Sequence, residues 1–446
     1  MSFSYSFNRP LKFLVVITLF LIQQECLFSQ VDSVLQKSVS NSTIKIDTSL
    51  TNITMDSASV KDQDFVVNSE STYRTDSLKI ESHPQDVSDQ AGFFIESGFG
   101  QLRIYGSVRL AGAYDFNGLT SVNRFSTYDI PVGPGTNHQP RFFMSPDQSR
   151  LGLEITRQSF LGQVKIKLET DFLGTNNNLR IRHAFAETGN FLVGQTWSTF
   201  TDVNSVPKTV DVDGPNSSVE LRTVKIRYTN LMRRLNIQYV VSLESPEPDV
   251  SVPDSLSYTI PAQFIPDFAG QIIHNFPWGY LSFSGIFRGI TVTDTSNVNS
   301  QVVGLGGLLA GNYNLDQDNK FLFQAVYGSA ISRFIRALSG KGLDLIYDPY
   351  TKSYEVVNSF GLLFSYSHNW RPDISSAFTV GMVGINNKDW EPGNNFSQSW
   401  YYSANVFWNA LLGINLGLEI SQGERINVNG ESGKATRVGF IFYADF

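Results

Sequence analysis

A hydrophobic period of two that begins near residue 92 and continues to the last residue limits this chain more than any other feature. Leu102, Ile104, Val108, Leu110, Tyr114 and Phe116 share one parity, and Arg103, Tyr105, Ser107, Arg109 and Asp115 share the other. The split recurs downstream. Leu151, Leu153 and Ile155 oppose Arg150, Gly152, Glu154 and Thr156. Val164, Ile166, Leu168 and Phe172 oppose Gln163, Lys165, Lys167, Glu169 and Asp171. Successive side chains of a strand point to opposite faces, so this pattern sets one face against an apolar medium and the other against water. Strands of soluble proteins average about five or six residues. Many here run for about ten or more, the length a tilted strand needs to cross a bilayer.

The connections alternate in length. Short ones fall near 159–162, 189–190, 230–234, 275–279, 314–319, 371–375 and 411–413. Longer ones fall at 117–148, 198–220, 245–262, 293–301, 333–354, 388–398 and 423–434, with a short outer one at 174–178. Seven turns on one side and eight loops on the other join sixteen strands. This predicts an all-β fold: a transmembrane antiparallel up-and-down β-barrel of about 16 strands, embedded in a lipid bilayer. Trp278, Trp370, Trp400, Tyr402 and Trp408 fall near strand ends, where interfacial girdles belong.

Composition removes competing classes. Of 446 residues, 34 are Lys or Arg and 41 Asp or Glu, a net charge of −7 that argues against a nucleic-acid partner. One Cys excludes a disulfide framework and a Cys-rich metal site. The five His residues, His83, His138, His183, His274 and His368, show no metal-ligand spacing, and His183 sits on the apolar parity of its strand. Gly304, Gly306 and Gly307 lie in a strand pattern without the following helix a phosphate loop requires. No cofactor and no catalytic residue is assigned.

Residues 1–30 read as a signal peptide: Arg9 and Lys12 precede the apolar run Phe13 to Ile22, and Ser29 and Gln30 follow. Cys26 has Glu25 before it, where a lipidation signal wants a small residue. Residues 31–91 carry 18 Ser or Thr, 10 acidic and 5 basic side chains, with only Phe65 and Tyr73 aromatic. So polar a stretch buries too little apolar surface to offset chain entropy, and it reads as a disordered periplasmic extension before the barrel domain at 92–446. It also cannot supply the folded plug of a gated receptor barrel.

The stretch Leu179 to Phe200, LRIRHAFAETGNFLVGQTWSTF, resembles the DcaP-like family of trimeric outer-membrane porins. Ser149-Arg150-Leu151-Gly152, Asp213-Gly214-Pro215, Arg222 and Arg227-Tyr228 fit the same family, and the similarity covers about residues 100–230. It implies a 16-stranded barrel, a homotrimer in the outer membrane of a Gram-negative bacterium, and passive uptake of small, often anionic solutes. Members often carry a periplasmic coiled coil before the barrel. Here Val31, Val34, Leu35 and Val39 do not continue into further heptads. The ending Val438, Phe440, Phe442, Ala444, Phe446 is similar to the terminal strand that the barrel assembly machinery recognises.

Parity assigns the lumen. Arg103, Arg109, Arg150, Lys165, Lys167, Arg180, Arg182, Lys225 and Arg227 fall on the water-facing side, against Asp115, Glu154, Glu169 and Asp171. Nine minus four leaves +5, although residues 92–446 carry 27 basic and 30 acidic side chains, or −3. A basic wall bounded by low-dielectric walls concentrates anions. The third outer loop, 198–220, is the candidate constriction. Asp202, Lys208, Asp211, Asp213 and Glu220 make it net acidic, so it is expected to set a transverse field against the basic wall. Asp211-Val212-Asp213-Gly214 has the alternating carboxylates of a calcium loop but lacks a further acidic ligand. A barrel hydrolase and an adhesive barrel with a blocked lumen are the alternative functions. Deleting residues 31–91 is expected to leave the barrel foldable, checked by a heat-modifiable band on a gel.

Overall fold

The computed structural model describes residue 87 and residues 91–446, apart from 99, 118, 120–123, 134–138, 161, 252–260, 294–298 and 412. The signal segment and nearly all of the polar extension lie outside the described residues.

The first elements among the described residues form a hairpin, β1 (Phe93–Ser97) and β2 (Gly100–Asp115). On the opposite edge of β2 lie β3 (Arg141–Ser145) and β4 (Arg150–Ser159), two pieces of one stave. There follow β5 (Gly162–Asp171), β6 (Arg180–Thr188), β7 (Phe191–Trp197), β8 (Arg222–Met232), β9 (Ile237–Glu244), β10 (Asp267–Phe276), β11 (Gly279–Thr293), β12 (Asn299–Asn314) and β13 (Asn319–Ser329). A separate hairpin, β14 (Leu345–Asp348) with β15 (Ser353–Val356), sits in an outer loop. The wall resumes with β16 (Asn358–Arg371), β17 (Ile374–Ile385), β18 (Phe396–Leu411), β19 (Ile414–Asn427) and β20 (Ser432–Asp445). Each stave pairs antiparallel with the next, and β20 pairs with β2, Arg437 opposite Asp115 and Asp445 opposite Ser107. The result is a closed antiparallel barrel of sixteen staves, with β1 as a short extra strand on β2. Closure matters physically because an open edge in lipid would leave backbone N–H and C=O groups without partners.

The parity of the sequence is the parity of the wall. Ile104, Val108, Leu110, Leu151, Leu153, Ile155, Ile166 and Leu168 are exposed on the outer surface, whereas Arg103, Tyr105, Arg109, Asp115, Arg150, Glu169 and Asp171 are buried inside. Trp278, Trp370 and Trp408 stand exposed at the ends bearing short turns. Two local features depart from simple alternation. Pro146 interrupts the second stave, where Ser149 N–H donates to the Pro146 carbonyl at 2.8 Å, so β3 lies inside a stretch expected to be all loop. In β6 a bulge sets Glu169 opposite His183 and Thr170 opposite Ile181. The extra residue turns both Arg182 and His183 inward. His183, on the outward parity by sequence, therefore packs inside, its Nδ1 2.9 Å from Thr196 Oγ1.

Leu309, outward on the long strand β12, tests the wall. Leu309→Lys is expected to cost roughly 2–4 kcal/mol in denaturant unfolding from lipid vesicles. A change within about 0.5 kcal/mol, as at an ordinary water-exposed position, would mean that this face does not meet lipid.

Candidate functional site

The inner wall brings its predicted cations together, and most of them meet acids. Lys165 Nζ lies 2.9 Å from Glu154, Lys167 Nζ 3.5 Å from Glu169, and Arg227 3.7 Å from Glu187. Arg180 engages Asp171 through two bonds of 3.0 and 2.7 Å, the fork a guanidinium makes with a carboxylate. Arg182 reaches Glu169 at 2.7 Å and Asp171 at 3.3 Å. Lys225 lies 3.8 Å from Glu244 and donates to the Trp197 carbonyl. Arg103 donates to the Ala91 carbonyl at 2.8 Å and lies 4.3 Å from the Tyr105 ring centre. Arg109 bonds Ser107 Oγ at 2.9 Å and lies 5.0 Å from the ring centre of Tyr443. Arg150 is buried on the same wall. Glu187 and Glu244 were not in the sequence count, and with them nine cations face six acids.

Loop 198–220 runs through the lumen, and nearly every residue of it is buried. Its start is tied to β9, where Ser198 Oγ and Thr199 N–H donate to Glu244 at 2.6 and 2.8 Å. Tyr280 of β11 donates to Asp202 Oδ1 at 2.8 Å, and Gln324 of β13 bonds both Asp202 O and Val219 N. Further along, Glu419 of β19 accepts from Val210 N at 3.0 Å and Asp211 N at 3.3 Å. Glycines on the wall make room. A Cβ at Gly381 would lie 2.4 Å from Ser217 Oγ, and one at Gly306 would lie 2.8 Å from Ile331 Cγ2. Gly306 thus serves close packing of an inner segment.

Each of the loop's acids has a partner, and two of the four, Asp211 and Asp213, meet guanidinium groups, which weakens the transverse field read from its sequence. Asp211 meets Arg437 at 2.8 Å, and Arg437 also holds Asp115 at 2.6 Å. Asp213 lies 3.3 Å from Arg124 and 3.4 Å from Arg336, and Glu220 accepts from Ser218 Oγ at 2.7 Å. Asp211 and Asp213 are thus paired with guanidinium groups, and among the described residues no cluster of three metal-ligating side chains gathers around them. Burial pushes the carboxyls of Asp202 and Asp211 up, against the pull of hydrogen bonds at the first and of Arg437 at the second. Burial pushes the Lys208 ammonium down to about 8.

A second segment, 330–344, clasps this loop. Phe334 O accepts from Glu220 N at 3.0 Å, Arg336 N donates to Ser218 O at 2.9 Å, and Phe334 stacks edge-on against Phe200 at 5.3 Å. Arg288 of β11 anchors the segment through Asp344 at 2.7 Å and holds Asp267 at 3.0 Å. Between these segments and the rim of β6–β8 lies a cavity of about 810 Å³. Arg124, Arg180, Arg222, Arg336 and Lys341 line it, against Asp129, Asp213 and Glu220. Sequence reasoning missed Arg437, although its inward parity beside Val438 and Phe440 was a readable signal. Arg124, Arg336 and Lys341 lie in loops, where parity carries no information.

A closed sixteen-stave barrel with an apolar outer band and a loop folded through the lumen is the architecture of an outer-membrane porin, which points to a channel. The family model described as DcaP outer membrane protein matches residues 63–446, and the chain belongs to that family. Among solved structures the barrel is similar to the outer membrane channel DcaP of Acinetobacter baumannii, with a TM-score of 0.68 and 21% identity, covering 80% of this chain and 100% of that one. It is also similar to an anion-selective porin from Comamonas acidovorans, with a TM-score of 0.51 and 10% identity over 77% of this chain and 99% of that one. OmpF of Salmonella typhi in complex with daunomycin gives 0.51 and 12%, over 79% and 100%. A search of curated proteins found no match.

Arg437→Met removes the shared partner of two buried carboxylates, a loss of roughly 3–5 kcal/mol. The expected outcome is a folded barrel with larger, noisier single-channel steps, because the inner loop loses its tether. Steps identical to the parent's would show that the tether does not hold the loop.

Proposed function

We propose that this porin is a passive diffusion pore preferring small anionic solutes and working as a homotrimer. The observation that carries the reading is the cavity at the rim of β6–β8, a vestibule beside the inner loop, where five basic side chains face three acidic ones. Beyond it the basic wall continues the same sign, with eight further cations and six acids. A field of one sign between low-dielectric walls raises the local concentration of counter-ions, and arginine forks match carboxylate or phosphate. The roles are divided by position. Outward Leu, Val, Ile and Phe meet lipid, Arg180, Arg222 and Arg336 attract the solute at the vestibule, and loop 198–220 limits its size. No bound cofactor takes part, and the solute moves down its own gradient.

The trimer rests on the height of the wall as well as on the resemblance. β7 has seven residues and β9 eight, fewer than the roughly 9–11 a tilted strand needs to span the hydrocarbon. On the far side β11 has 15 and β18 16. A low wall facing lipid would put its polar rim in the apolar layer, so we place a neighbouring copy against β5–β9. In the same reading residues 1–30 direct export, residues 31–91 extend into the periplasm, and Phe446 is the recognition end for the barrel assembly machinery.

The test is a single-channel recording in a planar bilayer under a KCl gradient. Ohmic steps in groups of three with a reversal potential favouring chloride are expected. Arg180→Gln with Arg222→Gln should move that potential toward zero. A cation-favouring potential in the parent would refute the anion preference, and a folded barrel without conductance would refute the pore.

A further inference from the structure

Among the charged residues of the inner loop, Lys208 is placed unlike the rest. Asp202, Asp211, Asp213 and Glu220 are each held by a hydroxyl or a guanidinium. Lys208 has no carboxylate at ion-pair distance among the described residues, and it is half-buried in a loop otherwise nearly sealed. Its backbone is fixed, since Asn405 Nδ2 donates to the Lys208 carbonyl at 2.9 Å. The ammonium lies 4.2 Å from the ring centre of Phe407 and 5.4 Å from that of Tyr443. Tyr443 carries a second cation, the Arg109 guanidinium at 5.0 Å.

This arrangement is not what the composition of the loop suggests. A net-acidic loop turns its one cation, as well as Asp211, toward the wall, and Lys208 does so low in the lumen. Phe407 is near the short-turn end of β18 and Tyr443 near the end of β20. At this level the lysine of the loop lies near Arg109 of the wall, and the two cations act in the same sense on an anion in the lumen.

We infer that Lys208 is the residue through which protons set the ion preference of this pore. The inference rests on the anion-preferring reading above and assigns its pH-sensitive determinant. The groups facing Lys208 are Arg109 of β2, Tyr443 and Asp445 of β20, and, from β18, the uncharged Phe407 and Asn405. Asn405 in turn bonds Glu419 of β19 at 3.1 Å. Burial and the nearby Arg109 hold the ammonium down at about 8, with Asp445 pulling weakly the other way. The sign follows from that depression. Below about 8 the lysine is charged and adds to the wall. Above it the charge goes, and Arg109 remains as the local cation.

The experiment measures reversal potential under a KCl gradient between pH 6 and 10, for the parent, Lys208→Met and Lys208→Arg, each shown to be folded by heat-modifiability. The parent should lose anion preference with a midpoint near 8. Lys208→Arg should keep the low-pH preference throughout, and Lys208→Met should show the high-pH preference throughout. A parent indifferent to pH, or a Lys208→Met variant that keeps the parent's midpoint, overturns the inference while a conducting, anion-favouring pore still supports the function proposed above. A cation-favouring parent overturns both.

Discussion

The guanidinium of Arg437 stands where three parts of the molecule meet. It faces Asp115 across the closing seam of the barrel, in direct register, and it also reaches Asp211 of the inner loop. One planar cation with several donors can satisfy two buried carboxylates at once, which a lysine point charge does less well. Closure of the wall and placement of the loop therefore depend on a shared interaction. Glu419 and Asn405 on the neighbouring strands extend that junction by binding the backbone of residues 208 to 211.

The lumen is built unequally. On the side of β11 to β17, Phe200, Val219, Ile331, Phe334, Ile335 and Leu338 pack with inward residues of the wall such as Ile286, Leu308 and Val326. That side holds an apolar core inside a barrel whose interior is otherwise polar. The charged side of the lumen, β2 to β9, keeps its cations and acids in contact at 2.7 to 3.8 Å. Buried charges that lack partners are strongly destabilising, so a wall this rich in arginine must also be rich in carboxylates. In the function proposed above, selectivity then depends on the remainder: the vestibule with its surplus of basic groups, and Lys208 beneath.

Much of the fold was legible because lipid imposes a simple rule. Each spanning residue faces either hydrocarbon or water, so Leu151, Leu153 and Ile155 could be separated from Arg150 and Glu154 by counting. The turns at 159–162, 275–279 and 314–319 follow from where that alternation stops. Counting failed where the backbone slips. The bulge in β6 reverses parity after Arg182, and a single extra residue leaves no signature in composition. It failed as well in the loops, where Arg124, Arg336 and Lys341 have no period to betray their direction. The charge of loop 198–220 was counted correctly and misread in effect, because its acids point to partners distant in sequence.

The sequence by itself determined that this chain forms a closed transmembrane barrel, which face of its regularly alternating strands meets lipid and which family it belongs to, since these depend on local alternation and on contiguous motifs. The tertiary structure alone decided how the inner loop is held, which carboxylates meet which cations, and where Lys208 rests against the wall. Those outcomes depend on contacts such as Arg437 with Asp211 and Asn405 with Lys208, separated by some 200 residues. Only the closed register of the whole sheet brings such pairs together.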